Sequence, residues 1–192
     1  MGLLLKALRE ATKEAHLALN GHRLLAPLQQ DTITFEDYLW CLRAFHQAYK
    51  NFETVFTCPL AVADSPSVEW LEKDMQVHGI APYAIEVPET PCIASYSRFM
   101  GHLYVKQGST LGGQVISRHL EKHLGLKPGE TNYFFAGYGE DTSENWKRLV
   151  AVLEDPHLIK HEAVEQAVCS FTFIRNCCDQ MLKTKESFQT PS

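Results

Sequence analysis

The sequence places apolar side chains at steps of three and four residues in one segment after another. The longest row extends over about six turns of helix. Its members are Phe35, Leu39, Leu42, Phe45, Tyr49, Phe52 and Phe56. This spacing brings side chains to one face of an α-helix, and Thr34 with Asp37 three residues later is typical of a capping box. The pattern predicts a long core helix.

Shorter rows of the same kind predict five more helices, each bounded by glycine, proline or a capping residue. They cover 3–19 before Gly21, 65–79 from Ser65 and Pro66, 93–124 before Gly125, a segment behind a capping box of Asp141 and Glu144, and a segment from Asp155 and Pro156 to about Met181. The proline-rich stretch 80–91 is predicted to be a loop. Because no stretch shows the alternation of a half-buried strand, we predict an all-α, single-domain helix bundle over 1–182, with a polar tail over 183–192.

Composition excludes several classes of protein. A chain of 192 residues with 45% hydrophobic side chains can bury one ordinary core. Its net charge of −5 and the lack of a dense Lys/Arg run argue against nucleic-acid binding. No apolar run is long enough for a signal peptide or a membrane span, and the six cysteines form no C-x-x-C pair. We therefore expect a cytoplasmic protein with reduced thiols, no nucleic-acid partner and no membrane partner.

Histidine pairs raise the question of a metal centre. His119 and His123 are four residues apart, as are His157 and His161, so each pair could share a helix face. Neither pair has a third ligand at a diagnostic spacing, and the favoured interpretation is solvated surface histidines. A di-iron bundle would need two Glu-x-x-His motifs, whereas the chain offers one, which Pro156 interrupts.

The segment 8–16, Leu-Arg-Glu-Ala-Thr-Lys-Glu-Ala-His, carries a stronger chemical signal. It puts His16 on or beside the apolar face of the first helix. Arg9 and Lys13 lie four residues apart along the same helix. Alone, such a histidine is more often a hydrogen-bonded helix residue than a metal ligand.

The segment 108–114, Gly-Ser-Thr-Leu-Gly-Gly-Gln, removes side chains from a predicted helix at Gly108, Gly112 and Gly113. Each glycine costs the helix about 1 kcal/mol relative to alanine. Close packing or a kink can explain why a helix contains glycine in spite of this cost. An imidazole, bare backbone and nearby cations together satisfy the needs of a haem site, which are an axial nitrogen, a close wall and partners for the propionates.

These segments resemble haem oxygenases, the biliverdin-forming family. Leu8 to His16 resembles the family's proximal helix, and 108–114 resembles its glycine-rich distal helix in the form of bacterial members found with bacteriophytochromes. Phe134-Phe135-Ala136-Gly137-Tyr138-Gly139 and Trp146-Lys147-Arg148 are similar to the same bacterial form. The similarity extends from about Leu5 to Cys178, and it implies haem held between a proximal helix and a glycine-kinked distal helix.

The resemblance also implies residue roles. His16 would bind iron through Nε2, and Phe171 would pack against the macrocycle. The propionates would pair with Arg9, Lys13 and either Lys147 or Arg148. The distal wall, on which catalysis depends, would comprise Gly108, Gly112 and Gly113, and Ser109 beside it would contribute to haem binding. Two positions depart from the pattern: Asn20 stands where many relatives carry a glutamate that accepts the other N–H of the proximal histidine, and Ser109 stands where some carry an aspartate.

The implied reaction is O₂-dependent cleavage of haem at a meso carbon to biliverdin, carbon monoxide and ferrous iron. Haem would be both substrate and cofactor, a ferredoxin or flavin reductase would supply electrons, and the bilin could pass to a photoreceptor. We expect a monomer. The alternatives left open are a haem carrier or sensor on the same fold, a di-iron oxidase and a thiaminase-like hydrolase with a cysteine nucleophile.

Overall fold

The computed structural model describes residues 2–55, 65–86 and 89–189, with 53–55 and 189 described by their backbone alone. Six α-helices account for most of these ranges, together with short 3₁₀ segments at Ala26–Gln29 and Gly139–Asp141. The helices are α1 (Leu3–Asn20), α2 (Phe35–Val55), α3 (Ser67–Val77), α4 (Tyr96–Leu124), α5 (Thr142–Val152) and α6 (Lys160–Gln189). No β-strand occurs in the described ranges, which confirms the predicted all-α fold. Phe56 and Cys58 lie outside them.

Local signals place the first two helices where the sequence predicts them. The N–H of Gly21 bonds to the carbonyl of Leu17 and ends α1. At the start of α2, the Thr34 hydroxyl accepts the N–H of Asp37 at 3.1 Å, while an Asp37 carboxylate oxygen accepts the N–H of Thr34 at 3.2 Å. These reciprocal bonds satisfy two backbone donors at the helix end, and they confirm the predicted capping box.

The start of α4 and the capping of α5 differ from the prediction. The helix α4 begins at Tyr96 rather than at 93, because the Ser95 hydroxyl accepts the N–H of Arg98. Asp141 makes no side-chain cap bond, so the predicted capping box with Glu144 is wrong. The reason is the 3₁₀ segment before α5, which gives Asp141 a helical backbone rather than the extended one that a capping residue needs.

Both ends of the last helix, α6, differ from the predicted ones. Asp155 does not cap it, since its carboxylate accepts the N–H of His157 in a tight turn before the helix. The N–H of Ile159 is bonded instead by the Ser97 hydroxyl of α4, and α6 starts at Lys160. At the other end, α6 continues to Gln189, well past the predicted end at Met181. Residues 183–189, predicted to be tail, are therefore helical, and the domain boundary at 182 stays a prediction.

The helix α6 packs against α1, α2 and α4, so it forms the centre of the bundle. It approaches α4 closely at Gly101, where a Cβ atom would overlap the backbone of Ala163. Only glycine allows the two backbones to meet there. Gly101 is a fourth glycine of α4, and its role in packing escaped the sequence analysis.

The cysteines, the helix hydropathy and the proline-rich stretch can each be compared with what the sequence predicts. Five cysteines within the described ranges are free thiols, of which Cys41, Cys177 and Cys178 are buried. In the described part of the chain, none of the helices combines the length and hydropathy that a bilayer span requires. The stretches 80–86 and 89–91 contain no helix, in agreement with the predicted loop.

A buried carboxylate connects α3 to the segment after α4. Asp74 is fully buried, and its two oxygens accept the backbone N–H groups of Tyr133 at 2.6 Å and Phe134 at 2.9 Å. Burial raises the pKa of this carboxyl, and the two N–H donors oppose the rise by stabilising its charge. The bonds fix the position of Phe134 and of the following Phe135.

We expect Asp74→Ala to lower the free energy of unfolding by roughly 2–5 kcal/mol, because two backbone donors lose their acceptor. The measurement is urea-induced unfolding followed by circular dichroism. The matched control is Glu69→Ala on the same helix, since exposed Glu69 pairs only with Lys73 among the described contacts. This control should change stability by less than about 0.5 kcal/mol. Equal effects of the two variants would contradict the anchoring role of Asp74.

Candidate functional site

A cavity of about 460 Å³ lies between α1 and α4. Its size is within the range of small-molecule and cofactor sites. The helices α2 and α6 and the segment around Phe134 close its remaining sides. The cavity brings together residues that are far apart in the sequence, including both segments that carried the strongest chemical signal.

His16 lies on the α1 side of this cavity. Its side chain is exposed, and its ring stands edge-on to Phe171 of α6, with ring centroids 5.8 Å apart and an interplanar angle of 87°. Asn20, one turn further along α1, also lines the cavity, but no hydrogen bond joins it to His16 among the described contacts. The ring of His16 thus contacts a phenyl ring, while Asn20 lines the same cavity one turn away.

The cations predicted for the site fall into two groups. Arg9 and Lys13 line the cavity from α1, two turns and one turn before His16 respectively, and both are exposed. Lys147 and Arg148 do not line it, and their exposed side chains lie 3.8 and 3.9 Å from Glu144 on α5. The structure therefore brings only the first pair to the cavity, and the propionate-binding role of the second pair stays a prediction.

The three glycines of α4 line the opposite side of the cavity, and they differ in what a side chain would meet. A Cβ atom at Gly112 would have no neighbour within 4 Å, and one at Gly108 would touch only Trp146 at 3.8 Å. A Cβ atom at Gly113 would lie 2.8 Å from the carbonyl oxygen of Phe135. Gly108 and Gly112 thus leave open space, whereas Gly113 allows α4 to pack against the backbone at Phe135.

A polar pair on the α4 side was missed by the sequence analysis. Tyr49 of α2 lines the cavity, and its hydroxyl lies 3.2 Å from the hydroxyl of Ser109. Because Ser109 donates its proton to the carbonyl of Lys106 at 2.6 Å, Tyr49 must donate to Ser109. The sequence placed Tyr49 in the apolar row of α2, and its hydroxyl was the signal that a buried polar partner was needed.

Aromatic rings form the wall next to this pair. Phe45 is stacked on Tyr49 at 6.2 Å, and Phe134 packs against both, at 5.2 Å from Phe45 and 5.8 Å from Tyr49. Phe135 completes the cluster by packing against Phe134. Asp74 holds this part of the chain in place by accepting the N–H of Phe134. Such a packed wall is rigid, since each ring is fixed by two others.

An all-α fold with an imidazole facing bare backbone across an aromatic cavity, and with two cations on one side, defines a protein that binds a flat, anionic ligand. Comparison with known proteins agrees with this class. The family model described as "Heme oxygenase" matches residues 3–179. The chain therefore belongs to the haem oxygenase family, whose activity is the degradation of haem.

Two relatives and two solved structures illustrate the similarity. The chain is 29% identical to a heme oxygenase of Xanthomonas campestris pv. campestris (strain 8004), and the match covers 80% of this chain and 96% of the relative. It is 24% identical to heme oxygenase 1 of Rattus norvegicus, and that match covers 86% of this chain and 67% of the relative. The NO- and CO-bound heme oxygenase of Neisseria meningitidis is similar in fold, with a TM-score of 0.72 at 22% identity, covering 95% of this chain and 94% of that one. Heme oxygenase-1 of the cyanobacterium Synechocystis, solved with heme, gives 0.64 at 16% identity and 96% coverage of both chains.

The residues present fit haem on their own chemistry. The imidazole of His16 is a ligand of the type that haem iron accepts, and the Arg9 guanidinium and Lys13 ammonium match carboxylate groups on the ligand's edge. Across the cavity, Gly108 and Gly112 leave the space that a macrocycle needs.

We expect Gly112→Leu to keep or slightly raise stability, by up to about 1 kcal/mol, because leucine favours a helix and meets no neighbour. It should weaken haem binding about tenfold or more, since overpacking of a site costs about 1–3 kcal/mol. Haem titration and urea unfolding measure the two effects.

The matched variant is Gly113→Ala. Its added methyl group meets the carbonyl of Phe135, so it should lower the free energy of unfolding by roughly 1–3 kcal/mol. A Gly112→Leu protein that binds haem as the wild type does would contradict the assignment of this wall.

Proposed function

We propose that this chain cleaves haem at a meso carbon, using O₂ and external electrons, and forms biliverdin, carbon monoxide and ferrous iron. The observation that carries the proposal is the placement of His16 of α1 and the glycine segment 108–113 of α4 on one cavity. When bound, haem supplies the iron that activates oxygen and the carbon skeleton that is cleaved. The chain itself binds, orients and shields this substrate.

His16 is proposed to hold the iron through Nε2. The edge-on contact with Phe171 restricts the orientations that the imidazole can take. Asn20 lines the cavity one turn away and offers an uncharged amide oxygen to the other ring N–H. A neutral imidazole would donate less electron density to the iron than a thiolate would.

Arg9 and Lys13 are proposed to pair with the propionates. Both are exposed, so each pair contributes modestly to affinity and more to the orientation of the macrocycle in the cavity. Lys147 and Arg148 would contact a propionate only if the haem edge extended beyond the residues that line the cavity. The orientation of the macrocycle decides which meso carbon faces the wall formed by α4.

On the α4 side, Gly108 and Gly112 would let the backbone approach the macrocycle closely. The Tyr49 hydroxyl donates its proton to Ser109, so its oxygen stays able to accept a hydrogen bond from water in the cavity next to this wall. We propose that this pair orders water in the place of the carboxylate that some relatives carry, so that protons reach bound oxygen through hydrogen bonds rather than from a strong acid.

We also propose a ferredoxin or flavin reductase as the source of electrons and transfer of the bilin to a photoreceptor. The net charge of −5 disfavours docking of a strongly acidic donor except at a local basic patch. Cytoplasmic location, the monomeric state and the absence of nucleic-acid and membrane partners stay predictions from the sequence.

For His16→Ala we expect loss of the histidine-ligated haem spectrum, because the axial nitrogen is removed. Added imidazole should restore it, since the truncated side chain leaves room for the free ligand. Absorption spectra of the ferric complex with and without imidazole provide the measurement.

The control for this variant is His157→Ala, which removes an exposed histidine from the turn before α6 and should leave the spectrum unchanged. An unaltered spectrum in His16→Ala would identify another ligand and refute the assigned role.

Turnover tests the reaction itself. With hemin, ascorbate or a ferredoxin system, and air, we expect loss of the Soret band with formation of biliverdin and carbon monoxide, the bilin isomer being identified by chromatography. A ferrous haem complex that stays intact under the same conditions would favour the alternative, a carrier or sensor on this fold, and would contradict the proposed activity.

A further inference from the structure

Three potential metal ligands meet on the surface of α4, outside the cavity. His119 and His123 occupy successive turns of the helix, and Asp31 follows the 3₁₀ segment 26–29, which packs against α4. One ligand atom from each side chain lies within 4.8 Å of the other two. The sequence offered only the two histidines, and the fold supplies the third group from a position far away in the chain.

Individual contacts show how these groups converge. The Nε2 atom of His123 lies 3.2 Å from an Asp31 carboxylate oxygen. The Nε2 atom of His119 lies 3.0 Å from the carbonyl oxygen of Gln30. The two imidazole rings lie side by side, with centroids 4.3 Å apart and an interplanar angle of 31°. Both histidines therefore face the same turn of the chain.

The contact between His123 and Asp31 is short but poorly aligned. Among the described residues, Nε2 of His123 has no hydrogen-bond partner, although the atom is shielded from solvent. The Asp31 side chain is 81% exposed, against 17% for His123. A buried nitrogen that points at a carboxylate without a proper hydrogen bond is an unsatisfied ligand atom, and such atoms are rare in native structures.

We propose that Asp31, His119 and His123 bind one divalent first-row transition ion, of the class that Zn²⁺ and Co²⁺ represent. Two imidazoles and one carboxylate form a ligand set of mixed nitrogen and oxygen, which these ions prefer and which Mg²⁺ and Ca²⁺ do not. Water would complete the coordination, because the exposed side of Asp31 leaves the site open.

Small movements bring the three atoms to coordination distance. Bonds of about 2.0–2.2 Å place neighbouring ligand atoms roughly 3 Å apart, close to the 3.2 Å already present between His123 and Asp31. His119 binds by moving its proton to Nδ1 and exchanging the carbonyl of Gln30 for the ion. Binding involves no electron transfer, and each ligating imidazole nitrogen must carry no proton.

Binding would connect the turn at Asp31 to α4. Leu28 and Gln29, just before this turn, line the cavity, and so does Ile116, one turn before the histidines. None of the three ligand residues lines it. The ion would thus brace the neighbouring wall of the cavity without entering it, and the proposal does not depend on the reaction proposed above.

Isothermal titration of the tag-free, full-length chain with Zn²⁺ tests the proposal, after iodoacetamide has blocked accessible thiols. We expect one equivalent bound by the wild type, with Co²⁺ competing and Mg²⁺ not competing. Asp31→Asn should weaken binding about tenfold or more, since loss of even an outer-shell partner costs that much. Asp31 is exposed, so this variant should fold normally.

Asp31→His separates a metal site from a simple ion pair. It removes the negative charge that pairs with His123 but supplies another imidazole, so Zn²⁺ binding should persist. The control is the double variant His157→Ala with His161→Ala, which removes the other histidine pair and should leave the titration unchanged. Loss of Zn²⁺ binding in this control, or equal binding in Asp31→Asn and the wild type, would overturn the proposal.

Thermal unfolding gives an independent readout. Because Zn²⁺ would bind the folded chain across two segments, it should raise the unfolding temperature of the wild type and of Asp31→His but not of Asp31→Asn. A wild-type chain that binds no Zn²⁺ and shows no shift would also refute the site.

Discussion

The close crossing of α4 and α6 at Gly101 and Ala163 is the contact on which the rest of the structure depends. Because α6 also packs against α1 and α2, this crossing fixes the position of the glycine-rich part of α4 relative to His16. The same helix carries Phe171 to the imidazole. A cavity can persist inside a bundle only if its walls are held by packing elsewhere, and α6 provides that packing.

Much of the fold could be predicted because its signals are local. Periodic apolar residues identified the helices, and the capping box at Thr34 and the stop at Gly21 depend on neighbours within a few residues. The errors arose where distant groups compete. Asp141 lies in a 3₁₀ turn, and the start of α6 is set by Ser97 of α4, neither of which local spacing reveals.

The candidate site divides in the same way. His16, Arg9 and Lys13 share one helix, so their spacing could be recognised and the structure places all three on the cavity. The partners Tyr49 with Ser109, and Asp31 with His123, come from separate segments, and only the folded chain pairs them. Sequence patterns find the ligand-bearing helix, whereas the polar groups around it depend on long-range packing.

The central claim is that the imidazole of α1 and the bare backbone of α4 enclose one haem. A crystal structure of the haem complex tests it most directly. We predict a bond between a ring nitrogen of His16 and the iron, with residues 108–113 on the opposite face of the macrocycle. Iron bound by a different side chain, or haem seated outside the cavity, would contradict it.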